Sequence, residues 1–216
     1  MKYRNKQECL FTAWQKEIPE YKDNFIKDGI VNEELYFQSN PKILFLMKEA
    51  NDSDGGEGSI VEFMDSHLKY TFFIRIAEWV YAIQNNFSRL LKVEENRKEL
   101  HQALRSIALI DVKKSCGGSK SDSGIIRDHV QKNKHFLQKQ IELINPDLII
   151  SGLGDLNLLN TFMNDVSWIR TQYGKCIGRW DKFKVIDFSH PSNRFGSAMN
   201  YCLLKAIMES NEFKNL

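Results

Sequence analysis

Four short apolar runs recur along the chain, each bounded by polar residues or by glycine and proline. Such runs are typical of buried β-strands, and they cover residues 42–48, 107–112, 147–153 and 183–188. Their apolar character is nearly continuous rather than alternating. This pattern favours parallel strands in a sheet that is covered on both faces.

Apolar residues at three- and four-residue spacing predict helices between these strands, over residues 60–85, 124–144, 156–163 and 197–208. Asn145-Pro146 ends the second of these helices, because proline lacks the N–H that a helix interior needs. Strands and helices therefore alternate, and right-handed crossovers predict a three-layer α/β/α sandwich around a short, mainly four-stranded parallel sheet. We expect a single domain over residues 1–216, with an N-terminal helical extension over about residues 1–40.

The composition is that of an ordinary globular protein, with 42% hydrophobic and 27% charged residues in 216. A net charge of +2 does not by itself indicate a nucleic-acid-binding protein. The polar N-terminal residues do not resemble a signal peptide, and the apolar runs are far shorter than the ~20 residues of a membrane span. We therefore expect a cytoplasmic monomer that makes no contact with a membrane.

The four cysteines are too far apart in sequence to form a local ligand pair of the kind that zinc and iron–sulfur sites use. They are Cys9, Cys116, Cys176 and Cys202. The five histidines show no paired metal-binding motif either. The sequence therefore predicts no metal site and no cofactor.

Polar or glycine-rich residues follow all four predicted strands. In open α/β sheets, ligands bind beyond the carboxyl ends of the strands, so these residues are the candidate site. The four segments are Lys48-Glu49-Ala50-Asn51-Asp52, Asp111 with Lys113, Lys114 and the Gly/Ser loop to Ser121, Gly152-Leu153-Gly154, and Ser189-His190-Pro191-Ser192-Asn193-Arg194-Phe195. Together they predict a site for a polar or anionic ligand.

Two of these segments carry a family resemblance. Glu49-Ala50 after the first strand and His190-Pro191-Ser192 after the last, in this order and spacing, resemble the uracil-DNA glycosylase superfamily, most closely the branch with a GEAPG first motif. The resemblance covers about residues 40–208 and includes the lysine-bearing loop after the second strand. The chain departs from the family in three ways: the first motif lacks its glycines and proline, Asp111 stands in place of an Asn, and the iron–sulfur cysteines are missing.

The resemblance implies a uracil-DNA glycosylase-like fold and hydrolysis of the N-glycosidic bond of a damaged or non-standard base in DNA. Breaking that bond gives a cationic, oxocarbenium-like sugar and a base that leaves as an anion. Glu49 is the candidate that orients a water and stabilises the cation, with Asp52 in reserve. His190 is the candidate donor to the base oxygen, because fixed donors aimed at developing charge stabilise a transition state.

Duplex DNA hides its reactive atoms, so such an enzyme must flip a nucleotide out or act on single strands. Candidate phosphate contacts are Lys113, Lys114, Ser119, Ser192 and Asn193, and Arg194 or Phe195 could fill the gap in the base stack. Phe63 is a possible stacking platform for the base, although its helical spacing also fits a core position. For the lysines, a solvated polar loop is an equally good interpretation.

Base recognition is assigned to Ala50 and Asp111. An ionised Asp111 offers only acceptors, which would disfavour uracil and suit an edge with two donors, such as that of guanine. Alternatively, Asp111 caps a loop or pairs with Lys113 and points away from any base.

Two other functions stay open from the sequence alone. One is a nucleic-acid-binding protein of the same fold that has lost the reaction, and the other is a hydrolase of a small glycosylated substrate. Glu49 and His190 facing one crevice would favour an enzyme. A basic groove that leads away from the crevice would favour DNA over a small substrate.

Overall fold

The computed structural model describes residues 3–51, 58–118 and 120–216. The helices are α1 (Tyr3–Glu17), α2 (Glu33–Gln38), α3 (Ile60–Ser66), α4 (Tyr70–Gln84), α5 (Arg97–Arg105), α6 (Ser123–Ile144), α7 (Leu156–Phe162), α8 (Ser197–Glu209) and α9 (Asn211–Lys214). The strands are β1 (Ile26–Lys27), β2 (Gly29–Ile30), β3 (Ile43–Met47), β4 (Gly58–Ser59), β5 (Ala108–Asp111), β6 (Leu148–Ser151), β7 (Ile169–Arg170), β8 (Cys176–Trp180) and β9 (Phe183–Asp187). Among the described segments, no helix has the length and apolar character that crossing a bilayer requires.

The fold is mixed α/β, and the four predicted strands lie together at its centre as β3, β5, β6 and β9. They are parallel, in the spatial order β5-β3-β6-β9. The sheet is larger than predicted, because β2 pairs antiparallel with β5 at one edge and β8 and β7 continue it antiparallel beyond β9. β8 was missed because its sequence, CIGRW, interrupts the apolar run with glycine and arginine.

Helices cover both faces of the sheet. Along β3, Ile43, Phe45 and Met47 join one hydrophobic cluster, whereas Leu44 and Leu46 join the other, as the two-residue period of a strand requires. Helices α3, α4, α5 and α8 supply side chains to the first cluster, and α1, α6 and α7 supply side chains to the second. The continuous apolar runs thus reflect burial on both faces of the sheet.

Residues 60–85 form two helices instead of the single one predicted. The helix α3 ends at Ser66, and α4 begins at Tyr70, whose backbone has a left-handed φ of +62°. A tyrosine rarely adopts this conformation, because its Cβ crowds the neighbouring carbonyl. No glycine or proline marks the break, so apolar spacing alone could not locate it.

Residues 3–40 contribute buried side chains to the core. Trp14 of α1 is fully buried, stacks on Phe136 of α6 with ring centroids 5.0 Å apart, and donates a 2.5 Å hydrogen bond to Asn133 Oδ1. The strand β2 adds a sheet edge next to β5. This arrangement carries Asp28, between β1 and β2, into the interior beside the end of β5.

We call the space beyond the carboxyl ends of β3 and β6, where the strand order reverses, the crevice. From β3 the chain moves one way along the sheet to β5, with its helices on one face. It then returns past β3 to β6 and β9, with α6 and α7 on the other face. Ligands of open α/β sheets bind where the strand order reverses in this way.

Candidate functional site

The candidate site is built from the loops that leave β3, β5, β6 and β9 at this crevice. Glu49 follows β3 and His190 follows β9. The strand β6 lies between β3 and β9, so β3 and β9 are about 10 Å apart. The floor of the crevice is tight at Gly152, where an added Cβ would lie 2.8 Å from Met47 Sδ and 3.4 Å from His190 Cα. The fold therefore places the loops that carry the first and last motifs at the same edge of the sheet.

Glu49 is held in a fixed position by the loop after β5. Lys113 Nζ donates to Glu49 Oε2 at 2.5 Å and to the carbonyl oxygen of Cys116 at 2.8 Å. Only 6% of the Glu49 side chain is exposed, because its carboxylate lies against the Cα atom of Gly117. The backbone N–H of Gly117 donates to the carbonyl oxygen of Ala50, which joins the two loops.

Lys113 and Lys114, predicted to contact phosphates, are both buried and engaged in ion pairs. The Lys113 side chain is 9% exposed and already neutralises Glu49. Lys114 is fully buried, and its ammonium pairs with Asp28, whose carboxylate also accepts from Gln140 Nε2 at 2.7 Å. Ammonium groups that are buried and paired in this way cannot reach a DNA backbone without leaving a buried carboxylate unpaired.

Asp111 lies deep between these ion pairs. Its backbone N–H donates to Asp28 Oδ2 at 2.8 Å, and its own Oδ2 is buried without a hydrogen-bond partner among the described residues. Burial, followed by the negative charge of Asp28, raises the pKa of Asp111 to about 8, although Lys114 opposes the shift. The described part of this cluster holds the carboxyls of Asp28, Glu49 and Asp111 against the ammonium groups of Lys113 and Lys114. A neutral Asp111 is therefore the state that balances the charge.

Asp111 does not pair directly with Lys113, because the Lys113 ammonium is directed to Glu49 and to the backbone of the following loop. The sequence interpretation of Asp111 assumed an ionised carboxylate. A protonated carboxyl instead has one donor and one acceptor, as an Asn amide does. A neutral Asp111 therefore has both a hydrogen-bond donor and an acceptor below about pH 8.

The hydrogen bonding of His190 selects one tautomer. The backbone N–H of Ser192 donates to His190 Nδ1 at 3.1 Å, so a neutral imidazole carries its proton on Nε2. The ring packs against Phe72, with centroids 5.4 Å apart. Although His190 as a whole is exposed, this packing removes solvent from the ring, and together with the positive charge of Lys48 it lowers the pKa of His190. His190 is therefore a neutral Nε2–H donor at physiological pH.

The loop that carries His190 is braced from α4, by a residue that the sequence analysis missed. Arg75 is buried, and its Nη1 donates to the carbonyl oxygens of Pro191 and Asn193, both at 2.8 Å. The available signal was a charged residue within the otherwise apolar repeat of this helix. A guanidinium fork is well suited to hold two carbonyl groups at a fixed separation.

Asn193, predicted to contact phosphate, is used inside the loop instead. Its Nδ2 donates to the carbonyl oxygen of His190 at 2.8 Å, and its Oδ1 accepts from the backbone N–H of Phe195 at 2.9 Å. It also exchanges hydrogen bonds with the buried amide of Asn200. Ser192, Arg194 and Phe195 are exposed at the tip of the loop, with Phe195 51% exposed, so they stay available for the predicted DNA contacts.

The remaining predicted site residues are Phe63, Ala50, Asp52 and Ser119. Phe63 is partly buried on α3 and packs against the core, but its ring also stacks on Tyr70. Ala50 lies beside Glu49 and accepts a hydrogen bond from Gly117. Asp52 and Ser119 lie outside the described residues.

Asp187, at the carboxyl end of β9, is a second carboxyl at the crevice that the sequence analysis did not select. Burial raises its pKa to about 6, although Lys175 opposes the shift, and its Oδ1 is buried without a partner among the described residues. The signal was present in the sequence, because Asp187 ends a strand three residues before His190.

Comparison with known proteins suggests no function, so a function has to be argued from this geometry. No protein-family model matches the chain, and no curated protein sequence matches it.

Proposed function

We propose that this protein hydrolyses the N-glycosidic bond of a damaged or non-standard base in DNA, as a divergent glycosylase with a uracil-DNA glycosylase-like fold. The proposal rests on two groups in the loops around the crevice. One is a carboxylate held in one orientation, and the other is a neutral hydrogen-bond donor in a fixed position. Glu49 is held by Lys113 after β3, and His190 presents its Nε2–H after β9. This combination meets the two electrostatic demands of the reaction.

The reaction requires charge stabilisation at the sugar and at the base. The bond between C1′ and the base nitrogen breaks with its electron pair going to the base, and a water oxygen bonds to C1′. Glu49 orients this water, stabilises the cationic sugar and accepts a proton from the water. His190 donates a hydrogen bond from Nε2 to a base oxygen that gains negative charge. In other enzymes, removing one such donor raises the activation free energy by a few kcal/mol.

A protonated Asp111 defines a class of bases for this proposal. Its hydroxyl donates and its carbonyl oxygen accepts, so it complements an N–H that stands next to a C=O. Asp111 is 2% exposed, so a base reaches it only after the loop after β5 moves. Uracil and hypoxanthine both present such an edge. This reverses the expectation from an ionised Asp111, which disfavoured uracil, and we propose excision of these bases at pH values below about 8.

One observation favours a second candidate, a nucleic-acid-binding protein without catalysis. The Glu49 carboxylate is 6% exposed and covered by Gly117, so a water can reach C1′ only if the loop after β5 moves when DNA binds. If the loop stays closed, the exposed tip at Arg194 and Phe195 could still bind DNA, but no reaction would follow.

Base release from oligonucleotides that carry uracil, hypoxanthine or xanthine distinguishes the two candidates. For the enzyme, Glu49→Gln and His190→Ala each slow base release by at least a hundredfold and change DNA affinity by less than threefold. Glu62→Gln and His135→Ala, which remove matched side chains outside the crevice, serve as controls and retain full activity. No base release by the wild-type protein, with DNA binding intact, would assign the non-catalytic function.

A further inference from the structure

A basic cavity lies between the carboxyl end of α3 and the first turn of α5. Its volume is about 530 Å³, and its lining includes His67, Lys69, Arg97, Lys98 and His101. Arg97 donates to the carbonyl oxygen of Leu68, and His101 Nε2 lies 3.1 Å from that of Met64. These contacts fix the base of the cavity while leaving most of its positive charge facing solvent.

The positive charge of this cavity is not neutralised locally. Within the described ranges, no carboxylate forms an ion pair with Lys69, Arg97 or Lys98. The nearby Asp65 is engaged with Arg105 at 2.6 Å. Glu99, the acidic residue in the first turn of α5, lines a different cavity next to α2 and α4. An anionic ligand would therefore gain favourable interactions without first displacing a carboxylate.

An exposed aromatic platform borders the cavity. The Tyr70 side chain is at the surface, since the residue is 57% exposed, and its ring stacks on Phe63 with centroids 5.8 Å apart. Phe63 also stacks on His67 at 5.2 Å, and Lys69 Nζ lies 5.1 Å from the centre of the Tyr70 ring. Tyr70 has a left-handed backbone conformation, which residues with a side chain rarely adopt, and its ring stands in solvent beside the positive charges.

The platform is continuous with the candidate site. Tyr70 contacts Phe73 at 6.5 Å between ring centroids, Phe73 contacts Phe72 at 5.0 Å, and Phe72 contacts His190 at 5.4 Å. Three ring contacts therefore connect the exposed tyrosine to the proposed base donor. Phe73 is buried, so these contacts run through the core beneath the surface that separates His190 from Tyr70.

We propose that His67, Lys69, Tyr70, Arg97, Lys98 and His101 form a binding surface for the single-stranded DNA that flanks the reacting nucleotide. A base stacks on Tyr70, and the phosphates beside it occupy the basic cavity. Proteins that bind single strands combine stacking aromatic rings with positive grooves in this manner. Bases inside a duplex cannot stack on a protein ring, so this surface selects unpaired strands.

This inference rests on the proposed function for the identity of the ligand, but it is tested separately by binding. The probe is a labelled 12-nucleotide oligothymidylate that carries no modified base, compared with the same strand in a duplex with oligoadenylate. Tyr70→Ala weakens single-strand binding by roughly tenfold, because one stacked base contributes ~1–3 kcal/mol. Tyr70→Phe keeps the ring and retains the affinity. Lys98→Glu weakens binding and lowers the salt dependence of the affinity.

Two variants on other surfaces are matched controls. Tyr173→Ala removes an exposed tyrosine next to β7, and Lys139→Glu reverses an exposed charge on α6 at the opposite face of the sheet. Both retain wild-type affinity. Unchanged binding in Tyr70→Ala and Lys98→Glu would overturn the proposal, as would duplex binding as tight as single-strand binding.

Two further outcomes separate this inference from the proposed function. Single-strand binding that depends on Tyr70, in a protein that releases no base, supports the surface and rejects the catalytic proposal. If Tyr70→Ala and Lys98→Glu release the base and bind single strands as the wild type does, the proposed binding surface is rejected and the catalytic proposal stands. Tighter binding of an oligouridylate of the same length would assign the surface to RNA and overturn the assignment to DNA.

Discussion

Glu49 and Gly117 are in direct contact: the carboxylate of Glu49 lies where a side chain at position 117 would have to be. An added Cβ at Gly117 would come within 2.0 Å of Glu49 Cδ and 2.3 Å of both carboxylate oxygens. At Gly118, the next residue, no described atom outside its two chain neighbours lies within 4 Å of an added Cβ. The glycine after Cys116 is therefore required by the carboxylate rather than by the backbone conformation of its loop.

Gly117→Ala should displace the Glu49 carboxylate and slow base release by roughly 10- to 100-fold, because a displacement of about 1 Å at a reacting group can cost that much. Gly118→Ala is the matched control and should keep the wild-type rate. The measurement is single-turnover base release at saturating enzyme, with folding checked by thermal denaturation. Equal rates for the two variants would remove Glu49 from the mechanism.

Asp111→Asn should make the protein less sensitive to alkaline pH. The folded pKa of Asp111 is about 8, well above that of an unfolded aspartate, so the folded state binds more protons between pH 4 and pH 8. The contribution of this group to the wild-type free energy of unfolding is greatest below about pH 4. It decreases by ~1 kcal/mol per pH unit as the pH rises towards 8. The difference in unfolding free energy between Asp111→Asn and wild type should therefore grow with pH.

Urea unfolding at pH 5, 6, 7 and 8 measures this difference. A constant difference over the whole range would mean that Asp111 is ionised throughout. The proposed base class would then be wrong. Asp122→Asn, at the exposed N-cap of α6, is the control for the loss of a carboxylate and should show no such trend above pH 5.

Arg75→Met should disturb His190 through the loop between them. The variant loses both hydrogen bonds to the carbonyl oxygens of Pro191 and Asn193, so we expect a base-release rate roughly tenfold lower. The pKa of His190, followed by NMR, should move up towards its ordinary value as the ring becomes more solvated. Arg89→Met removes an exposed arginine after α4 and should change neither quantity, whereas an unchanged pKa in Arg75→Met would contradict the positioning role.

Lys114→Met should destabilise the fold by roughly 3–5 kcal/mol, because it leaves the buried Asp28 carboxylate without its ion pair. Adding Asp28→Asn removes the uncompensated charge and should restore part of the loss. Lys139→Met, at an exposed position of α6, should have little effect on the free energy of unfolding. A wild-type unfolding midpoint for Lys114→Met would show that this lysine is not buried as an ammonium ion.

The sequence located the four central strands well, because a strand that is buried on both faces must be apolar at every position. Residues 42–48 were predicted and Ile43–Met47 form β3; residues 147–153 were predicted and Leu148–Ser151 form β6. The helices after β5 and β6 were equally clear from their apolar spacing, and Asn145-Pro146 marked the end of the first of them. The antiparallel edge strands were missed, because short strands such as Ile169–Arg170 carry too few residues to show a period.

The sequence by itself also determined which loops could form a site, because ligand-facing residues must follow the strands of an open sheet. It placed Glu49, Asp111 and His190 at those positions from order alone. Only the tertiary structure decided what each of them can do. Asp28 and Lys114 are 86 residues apart, and they meet beside Asp111, where burial, followed by the negative charge of Asp28, raises the pKa of the Asp111 carboxyl to about 8. Protonation state, tautomer and accessibility depend on groups that meet in space rather than in sequence, so the fold fixed the chemistry of residues that the pattern could only locate.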